Sequence, residues 1–322
     1  MKAIVSNKYG SPDVLEFKEV KKPTPLDNQV LVKIHAASLN FGNLVLLKGE
    51  PFLARFAFGL RRPKYSIPGG DIAGRVEAVG KDVRHFQPGD EVFGDLSSCG
   101  WGGFAEYVTA PEHAIALKPT NLSFAEAAAV PMAAVTALQG MRDKGKIKAG
   151  QKVLINGASG GVGTFAVQIA KSFGADVTGV CSTRNIEILR SIGADHVIDY
   201  TEDDFTNKQQ KYDLILAVNG SHPISAYKHA LRPNGTFVHV GGSVTQMFQA
   251  LVQGPFISIK DRKTMGIFLQ KYNQNDLVVI KKLLEAGKVK PVIDRCYKLA
   301  DVPDAFRYFG EGHAQGKVVI TL

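Results

Sequence analysis

Val153-Leu154-Ile155-Asn156-Gly157-Ala158-Ser159-Gly160-Gly161-Val162-Gly163 is the stretch that decides the fold of this 322-residue chain. Its apolar start has the pattern of a strand buried on both faces, and it runs into a glycine-dense turn. TFAVQIAKSFG (164–174) then carries apolar residues at helical spacing. Gly161-x-Gly163-x-x-Ala166 has the spacing of a dinucleotide-binding turn. Glycines there permit a tight bend and close backbone approach to a pyrophosphate, which rests on the N-terminus of the following helix. A glycine pattern alone is a weak signal, but one with a strand before it and a helix after it is strong. Ser159, Gly160, Gly161, Val162 and Gly163 are therefore the expected phosphate-binding residues.

Outward from this turn, strand and helix patterns alternate. ADVTGVC, DHVIDY, KYDLILAVNG and GTFVHVGG read as strands, with NIEILRSIG and SHPISAYKHAL as helices between them. Short apolar strands, most followed by a helix, signal an α/β doubly wound parallel sheet. Before about residue 118 the chain is β-rich instead: QVLVKIHAA, IAGRVEAVG, DEVFGDL and FAEYVTA are short runs separated by Gly, Pro and Asp. AEAAAVPMAAVTALQGM is an Ala-rich helical stretch, with Ser123 as its N-cap and Glu126 three residues later. After about 265 the pattern turns helical again (NDLVVIKKLLEAG) and closes on the strand GKVVITL. At this length two domains are expected. They are a β-rich domain over 1–124, completed by 265–322, and a nucleotide-binding domain over 125–264.

The end of the second strand of the alternating region selects the cofactor. NAD-specific sites place an acid about 20 residues past the glycines, for the ribose hydroxyls. Here stand Cys181-Ser182-Thr183-Arg184-Asn185, with no acid. Arg184 offers a planar cationic fork suited to a 2′-phosphate, and Ser182 and Thr183 add hydroxyls. An Arg at a helix N-terminus opposes the local dipole and so calls for a reason. Tyr200, closing VIDY, is placed to cover the adenine or reach the same phosphate. NADPH is the expected cofactor.

Composition sets limits. Hydrophobic residues make up 45% and charged residues 21%, as in ordinary globular proteins. No apolar run has the length of a membrane span, and no signal-peptide pattern opens the chain, so a cytoplasmic protein is expected. Cys99, Cys181 and Cys296 match no metal or disulfide spacing. The net charge of +9 raises the question of nucleic acid, but Lys and Arg are dispersed and form no long basic tract. A solvated surface plus one anionic ligand pocket is the better reading.

With these residues placed, the chain resembles the medium-chain dehydrogenase/reductases of the quinone-oxidoreductase type over its whole length. The resemblance rests on SLNFGN (38–43), PGGDIAGRVEAVG (68–80), PGDEVFG (88–94), GGFAEYV (102–108), VTALQ (135–139), NGASGGVGTFAVQIAK (156–171) and EGHAQGKVVI (311–320). It implies a GroES-like catalytic domain, a Rossmann domain and an active site in the cleft between them. The zinc-dependent members hold catalytic zinc with a Cys whose position corresponds to Asn40, and carry a His-Glu pair that corresponds to Gly70-Asp71. The four-cysteine lobe that binds structural zinc is absent, and none of these positions offers a converging ligand set, so no metal is expected.

The resemblance also implies roles. Asn40 and Thr136 are the candidate catalytic residues, Asn40 near the nicotinamide or the substrate carbonyl and Thr136 on the nicotinamide side. Asn219 and the backbone of Gly241 and Gly242 are expected beside the cofactor. Phe256 and Phe268 read first as core packing and second as pocket wall. Asn43 stands where an Asp is common, and Val45 where some members place an active-site Tyr, so no proton donor is assigned. Leu46–Lys64 (LLKGEPFLARFAFGLRRPK) is apolar and basic, and reads equally as a packed loop, as the wall of a long hydrophobic substrate's site or as a membrane contact.

Without a metal to stabilise an alkoxide, alcohol oxidation is hard, whereas an electron-poor acceptor takes hydride readily. The expected function is therefore NADPH-dependent reduction of quinones or α,β-unsaturated carbonyls, by a homodimer. Some zinc-free members hold NADPH while serving as crystallins or as nucleic-acid or protein partners, and that non-catalytic function is the alternative. Turnover with a quinone, set against salt-sensitive nucleic-acid binding, separates the two.

Overall fold

The computed structural model describes residues 1–220, 222–241, 249–252, 254 and 262–322. By contacts the chain divides into two units. One comprises Met1–Ala133, Tyr272–Glu285 and Pro291–Leu322, the other Ala134–Lys271 and Ala286–Lys290.

The first unit opens with the hairpin β1 (Lys2–Val5) and β2 (Glu16–Glu19). Strand β3 (Gln29–Ser38) follows, then helices α1 (Phe41–Lys48) and α2 (Arg55–Phe58). Strands β4 (Asp71–Val79), β5 (Glu91–Asp95), β6 (Tyr107–Pro111) and β7 (Ile115–Leu117) come next, and then helix α3 (Phe124–Ala128). At α3 the Ser123 hydroxyl accepts from the Glu126 amide at 3.3 Å while the Glu126 carboxylate accepts from the Ser123 amide at 2.8 Å, the reciprocal cap that the sequence predicts. Inward-facing residues of β3 and β4 (Val30, Val32, Ile34, Ile72, Val76) pack with Phe104 and Phe306 into the core of this unit.

Helix α4 (Pro131–Gln139) contains the division point between the units. The second unit then alternates: β8 (Lys152–Asn156), α5 (Gly161–Ser172), β9 (Asp176–Cys181), α6 (Ile186–Ser191), β10 (His196–Asp199), β11 (Tyr212–Ala217), α7 (Ile224–Ala230), β12 (Leu231–His239) and β13 (Thr264–Ile267). All are parallel, in the order β10-β9-β8-β11-β12-β13. This is the doubly wound order with its reversal between β8 and β11, where ligands bind beyond the strand ends. The sheet is buried on both faces, which is why its strands read as continuous apolar runs.

The chain then returns to the first unit through α8 (Gln274–Glu285), β14 (Ile293–Lys298), α9 (Val302–Gly310) and β15 (Lys317–Thr321). β15 pairs antiparallel with β3 and parallel with β14, completing a seven-stranded sheet. The expected boundaries move, and by contacts Ala286–Lys290 group with the second unit. The division lies inside α4 and not at 124–125, because α3 packs on β3 and β4. Residues 265–271 stay with the second unit, because Met265–Ile267 pair with Phe237–His239 as the sixth parallel strand. The sequence after 265 reads as helical, and the short strand β13 precedes that helix.

Candidate active site

In the second unit, the turn after β8 has the geometry that its glycines predict. Gly157 has φ +82°, and a Cβ at Gly163 would lie 2.2 Å from the Gly157 carbonyl oxygen, so a side chain at either position is excluded. Gly160 caps α5 without any side-chain hydrogen bond, which leaves the first-turn N–H groups pointing out of the helix end. Such an end attracts an anion through its amides and its dipole together.

Asn185, to which the sequence assigns no role, joins the turn to the end of β9. Its buried amide nitrogen donates to Ser159 Oγ and to Ser182 Oγ, both at 3.1 Å. Two of the predicted cofactor residues are thus tied to one side chain. Arg184 is exposed in the short helical turn beside them. Tyr200 is largely exposed, and its backbone amide donates to the Cys181 carbonyl, which places it against the same strand end. Thr183 Oγ1 lies 3.0 Å from Thr201 Oγ1. The Asp199 carboxylate accepts from the Thr201 amide and hydroxyl and is held below its usual range, first by the Thr183 hydroxyl. An acid therefore stands one strand over from the expected position, already bound to Thr201.

Asn219 is exposed beyond β11 and abuts the glycine turn: a Cβ on Gly157 would lie 2.9 Å from its backbone nitrogen. Gly241, past β12, sits against the Val218 carbonyl. The ends of β8, β9, β11 and β12 so bring Ser159, Ser182, Tyr200, Asn219 and Gly241 to one end of the sheet. Gly242 and Phe256 lie outside the described residues. Thr136 is buried on α4, and Phe268 is half-buried where its amide continues the β13 ladder to His239.

The first unit brings Asn40 into a fully buried charge cluster. Lys317, at the start of β15, is 2% exposed. Its ammonium donates to the Leu39 carbonyl at 3.0 Å, to Asn40 Oδ1 at 2.5 Å and to Asp71 Oδ2 at 3.4 Å. Three donors meet three acceptors, which is the full capacity of an ammonium. Asn40 Nδ2 donates to Asp71 Oδ2 at 2.8 Å, Ser38 Oγ donates to the same oxygen at 3.2 Å, and the Met132 amide donates to Oδ1 at 3.0 Å. Asn43 fixes the backbone of Asn40 by accepting its amide at 2.8 Å. That contact needs only an acceptor oxygen, so the amide of Asn43 serves where other members carry an acid.

Asp95 lies directly opposite Asp71 in the β4–β5 ladder, so two buried carboxylates face each other with one ammonium between three elements. Burial pushes Asp71 up and Lys317 down, each against the attraction of the other. Asp95 is pushed up to about 7, first by burial and then by Asp71. One of its oxygens accepts from the Ser97 amide at 2.8 Å, while the other is buried without a partner among the described residues. Lys317 and Asp95 are members of the cluster that the sequence alone does not single out. The available signal was a lysine opening an otherwise apolar strand.

The alcohol dehydrogenase GroES-like domain family matches residues 26–120, and the zinc-binding dehydrogenase family matches residues 192–320. The chloroplast envelope quinone oxidoreductase homolog of Arabidopsis thaliana is 36% identical, with 99% of this chain and 98% of that protein covered. The 2-methylene-furan-3-one reductase of Solanum lycopersicum is 38% identical, covering 99% of this chain and 79% of the relative. Among solved structures, the quinone oxidoreductase from Coxiella burnetii superposes with a TM-score of 0.87 at 32% identity, covering 100% of this chain and 99% of that one.

Zinc, which one family description names, does not fit the residues here. The Asn40 amide and the Asp71 carboxylate, at the positions corresponding to metal-site residues of the zinc members, both already face an ammonium, and Gly70 between them has no side chain. A divalent cation would meet the Lys317 charge at once. Among the described residues, no group of three or more His, Cys, Asp or Glu is placed to hold a metal. A nicotinamide dinucleotide does fit, at the glycine turn and the uncapped end of α5.

Proposed function

The chain belongs to the medium-chain dehydrogenase/reductase superfamily in its quinone-oxidoreductase type, and from that premise we propose that it reduces quinones or α,β-unsaturated carbonyl compounds with NADPH and without zinc. The observation that carries this reading is the Lys317–Asn40–Asp71 cluster, in which a protein ammonium touches both residues at positions corresponding to metal-site residues of the zinc members. Alcohol oxidation requires stabilisation of a developing alkoxide, commonly by a metal Lewis acid. A quinone or an enone instead accepts hydride at carbon and spreads the charge onto its oxygen. The relatives' names agree with this chemistry, since one is a quinone oxidoreductase homolog and the other acts on a methylene-furanone, itself an enone.

The bound nicotinamide supplies the hydride. Ser159 to Gly163 hold the pyrophosphate, Arg184 with Ser182 takes the 2′-phosphate, and Tyr200, Asn219 and the backbone of Gly241 border the cofactor. Asn40 presents an amide N–H to the substrate oxygen, with its plane set by Lys317 and Asp71. Thr136 lies on the nicotinamide side. The test is an NADPH-oxidation screen over quinones, enones, aldehydes and alcohols. Turnover is expected with the first two, and the absence of turnover with any electron-poor acceptor overturns the reading in favour of a non-catalytic cofactor-binding protein.

A further inference from the structure

The segment from Lys48 to Lys64 takes no part in either cluster. It holds Lys48, Arg55, Arg61, Arg62 and Lys64 against the single acid Glu50. Among the described residues, none of these cations forms an ion pair with a carboxylate. In the same segment Phe52, Leu53, Phe56 and Leu60 are 54–74% exposed. Scattered exposed apolar residues need no explanation, but four large ones within nine positions do.

The segment is held in place by its own side chains and by Tyr9 and Trp101. The Tyr9 hydroxyl donates to the Gly59 carbonyl at 2.6 Å, and the Arg55 side chain donates to the Gly49 carbonyl at 3.1 Å. The Arg55 guanidinium lies over the Tyr9 ring at 4.6 Å and over the Phe52 ring at 5.6 Å. Phe52 meets Phe56 edge-on at 6.2 Å, and half-buried Phe58 rests on Trp101 at 6.1 Å. Immediately after Gly59 a cavity of about 530 Å³ opens, lined by Arg61, Arg62 and Lys64 together with the polar Asn7 and Ser66, and by no acidic residue.

We propose that this surface docks on an anionic phospholipid bilayer, with Phe52, Leu53, Phe56 and Leu60 entering the interfacial region and Arg61, Arg62 and Lys64 receiving headgroup phosphates. Charge complementarity selects the sign of the surface, and guanidinium forks match phosphate oxygens. The aliphatic Leu53 and Leu60 beside the aromatic rings favour acyl chains over nucleobases, which stack on rings and gain nothing from leucine. No described helix is long and apolar enough to cross a membrane, so the contact is peripheral. It stands independently of the reaction proposed above.

The experiment is co-sedimentation of the full chain with phosphatidylcholine vesicles, with and without phosphatidylglycerol. Binding is expected only when phosphatidylglycerol is present. Arg61→Ala/Arg62→Ala is expected to lower the partition coefficient about thirtyfold, and Phe52→Ser/Phe56→Ser, which leaves the charge unchanged, about tenfold. Lys282→Ala/Lys288→Ala, at exposed positions elsewhere, serves as the charge-matched control and should leave partition within about twofold of wild type. Thermal midpoints of all three variants should match wild type. The proposal fails if neither vesicle is bound, if the control variant loses as much as Arg61→Ala/Arg62→Ala, or if Phe52→Ser/Phe56→Ser binds like wild type, since binding is then diffuse electrostatics. It fails equally if a single-stranded oligonucleotide displaces the vesicles and depends on the same arginines.

Discussion

The ammonium of Lys317 donates to the side-chain oxygen of Asn40, 277 residues away in sequence, and so decides which way that amide points. With Oδ1 turned to the lysine, Nδ2 faces Asp71, and its second N–H is the only polar group that Asn40 can offer to a substrate. Removing Lys317 would therefore free the amide and strand a buried carboxylate. Lys317→Met is expected to destabilise the protein by about 3–5 kcal/mol, the cost of breaking a buried pair from one side. Asp71→Asn combined with Lys317→Met should recover a large part of that loss. Urea unfolding midpoints measure both, and a Lys317→Met variant as stable as wild type would show that Asp71 is not ionised in the fold.

Asp95 makes stability depend on pH in an unusual direction. Its pKa is raised from 3.8 to about 7, so the folded chain holds this proton more tightly than the unfolded chain does. Between these two values the folded state binds more protons. Stability linked to Asp95 is thus greatest below about pH 4, falls as pH rises toward 7 and is level above it. Asp95→Asn removes that slope. Comparing urea midpoints at pH 5 and pH 8 should show wild type losing more stability than the variant over this interval. Parallel losses would mean that Asp95 ionises like a solvated carboxylate.

The metal prediction follows from the donor set. Purified protein should contain well under one zinc per chain and keep its NADPH-oxidising activity in chelator, because Asn40, Gly70 and Asp71 present an amide, no side chain and a carboxylate already bound to an ammonium. Stoichiometric zinc by elemental analysis, with activity lost on its removal, would sink the zinc-free reading.

Arg184 stands exposed beside Ser182, with Asn185 fixing the neighbouring hydroxyls. Arg184→Ala should weaken NADPH binding about ten- to a hundredfold, the worth of a charge-assisted contact to phosphate, and leave NADH binding nearly unchanged. Titration of cofactor fluorescence reads both constants. Equal losses for the two cofactors would make Arg184 a structural residue and turn attention to Asp199, which accepts from the Thr201 hydroxyl beside Thr183.

The second unit was nearly all legible in the sequence because its signals are local. A glycine turn, short apolar strands and amphipathic helices each lie within a dozen residues, and sheet order follows from their succession. Thr264–Ile267 was missed because four residues at a sheet edge carry too little periodicity to outweigh the helical pattern that follows. The first unit hid more. Asn40 and Asp71 stand out in the sequence as departures from a metal-site pattern, but what holds them is a lysine contributed by the last strand. Contacts of that range leave no spacing to read. Asn185 is hidden for a different reason: beside Arg184 it reads as an ordinary helix-start residue, and only the fold shows its amide bridging two serines.

Asn40 carries the last prediction, and the cluster around it sharpens what the variant must show. Asn40→Ala removes an acceptor from Lys317 and a donor from Asp71, so some stability is lost, about 1–3 kcal/mol for a buried pair of hydrogen-bonding groups. If holding the cluster were its whole role, the variant that remains folded would turn over normally. If its free N–H meets the oxygen on which charge develops, kcat with a quinone or enone should fall on the order of a hundredfold, as when a donor to a developing oxyanion is deleted. NADPH affinity should change far less, because Asn40 lies outside the cofactor-binding residues. Asn40→Asp is the informative companion, since it keeps an acceptor for Lys317 while replacing the N–H donor with a carboxylate oxygen. Loss of turnover in both variants, at unchanged cofactor affinity, assigns the amide nitrogen to the substrate. Normal kcat in folded Asn40→Ala removes Asn40 from the chemistry and leaves it as the clamp on Lys317.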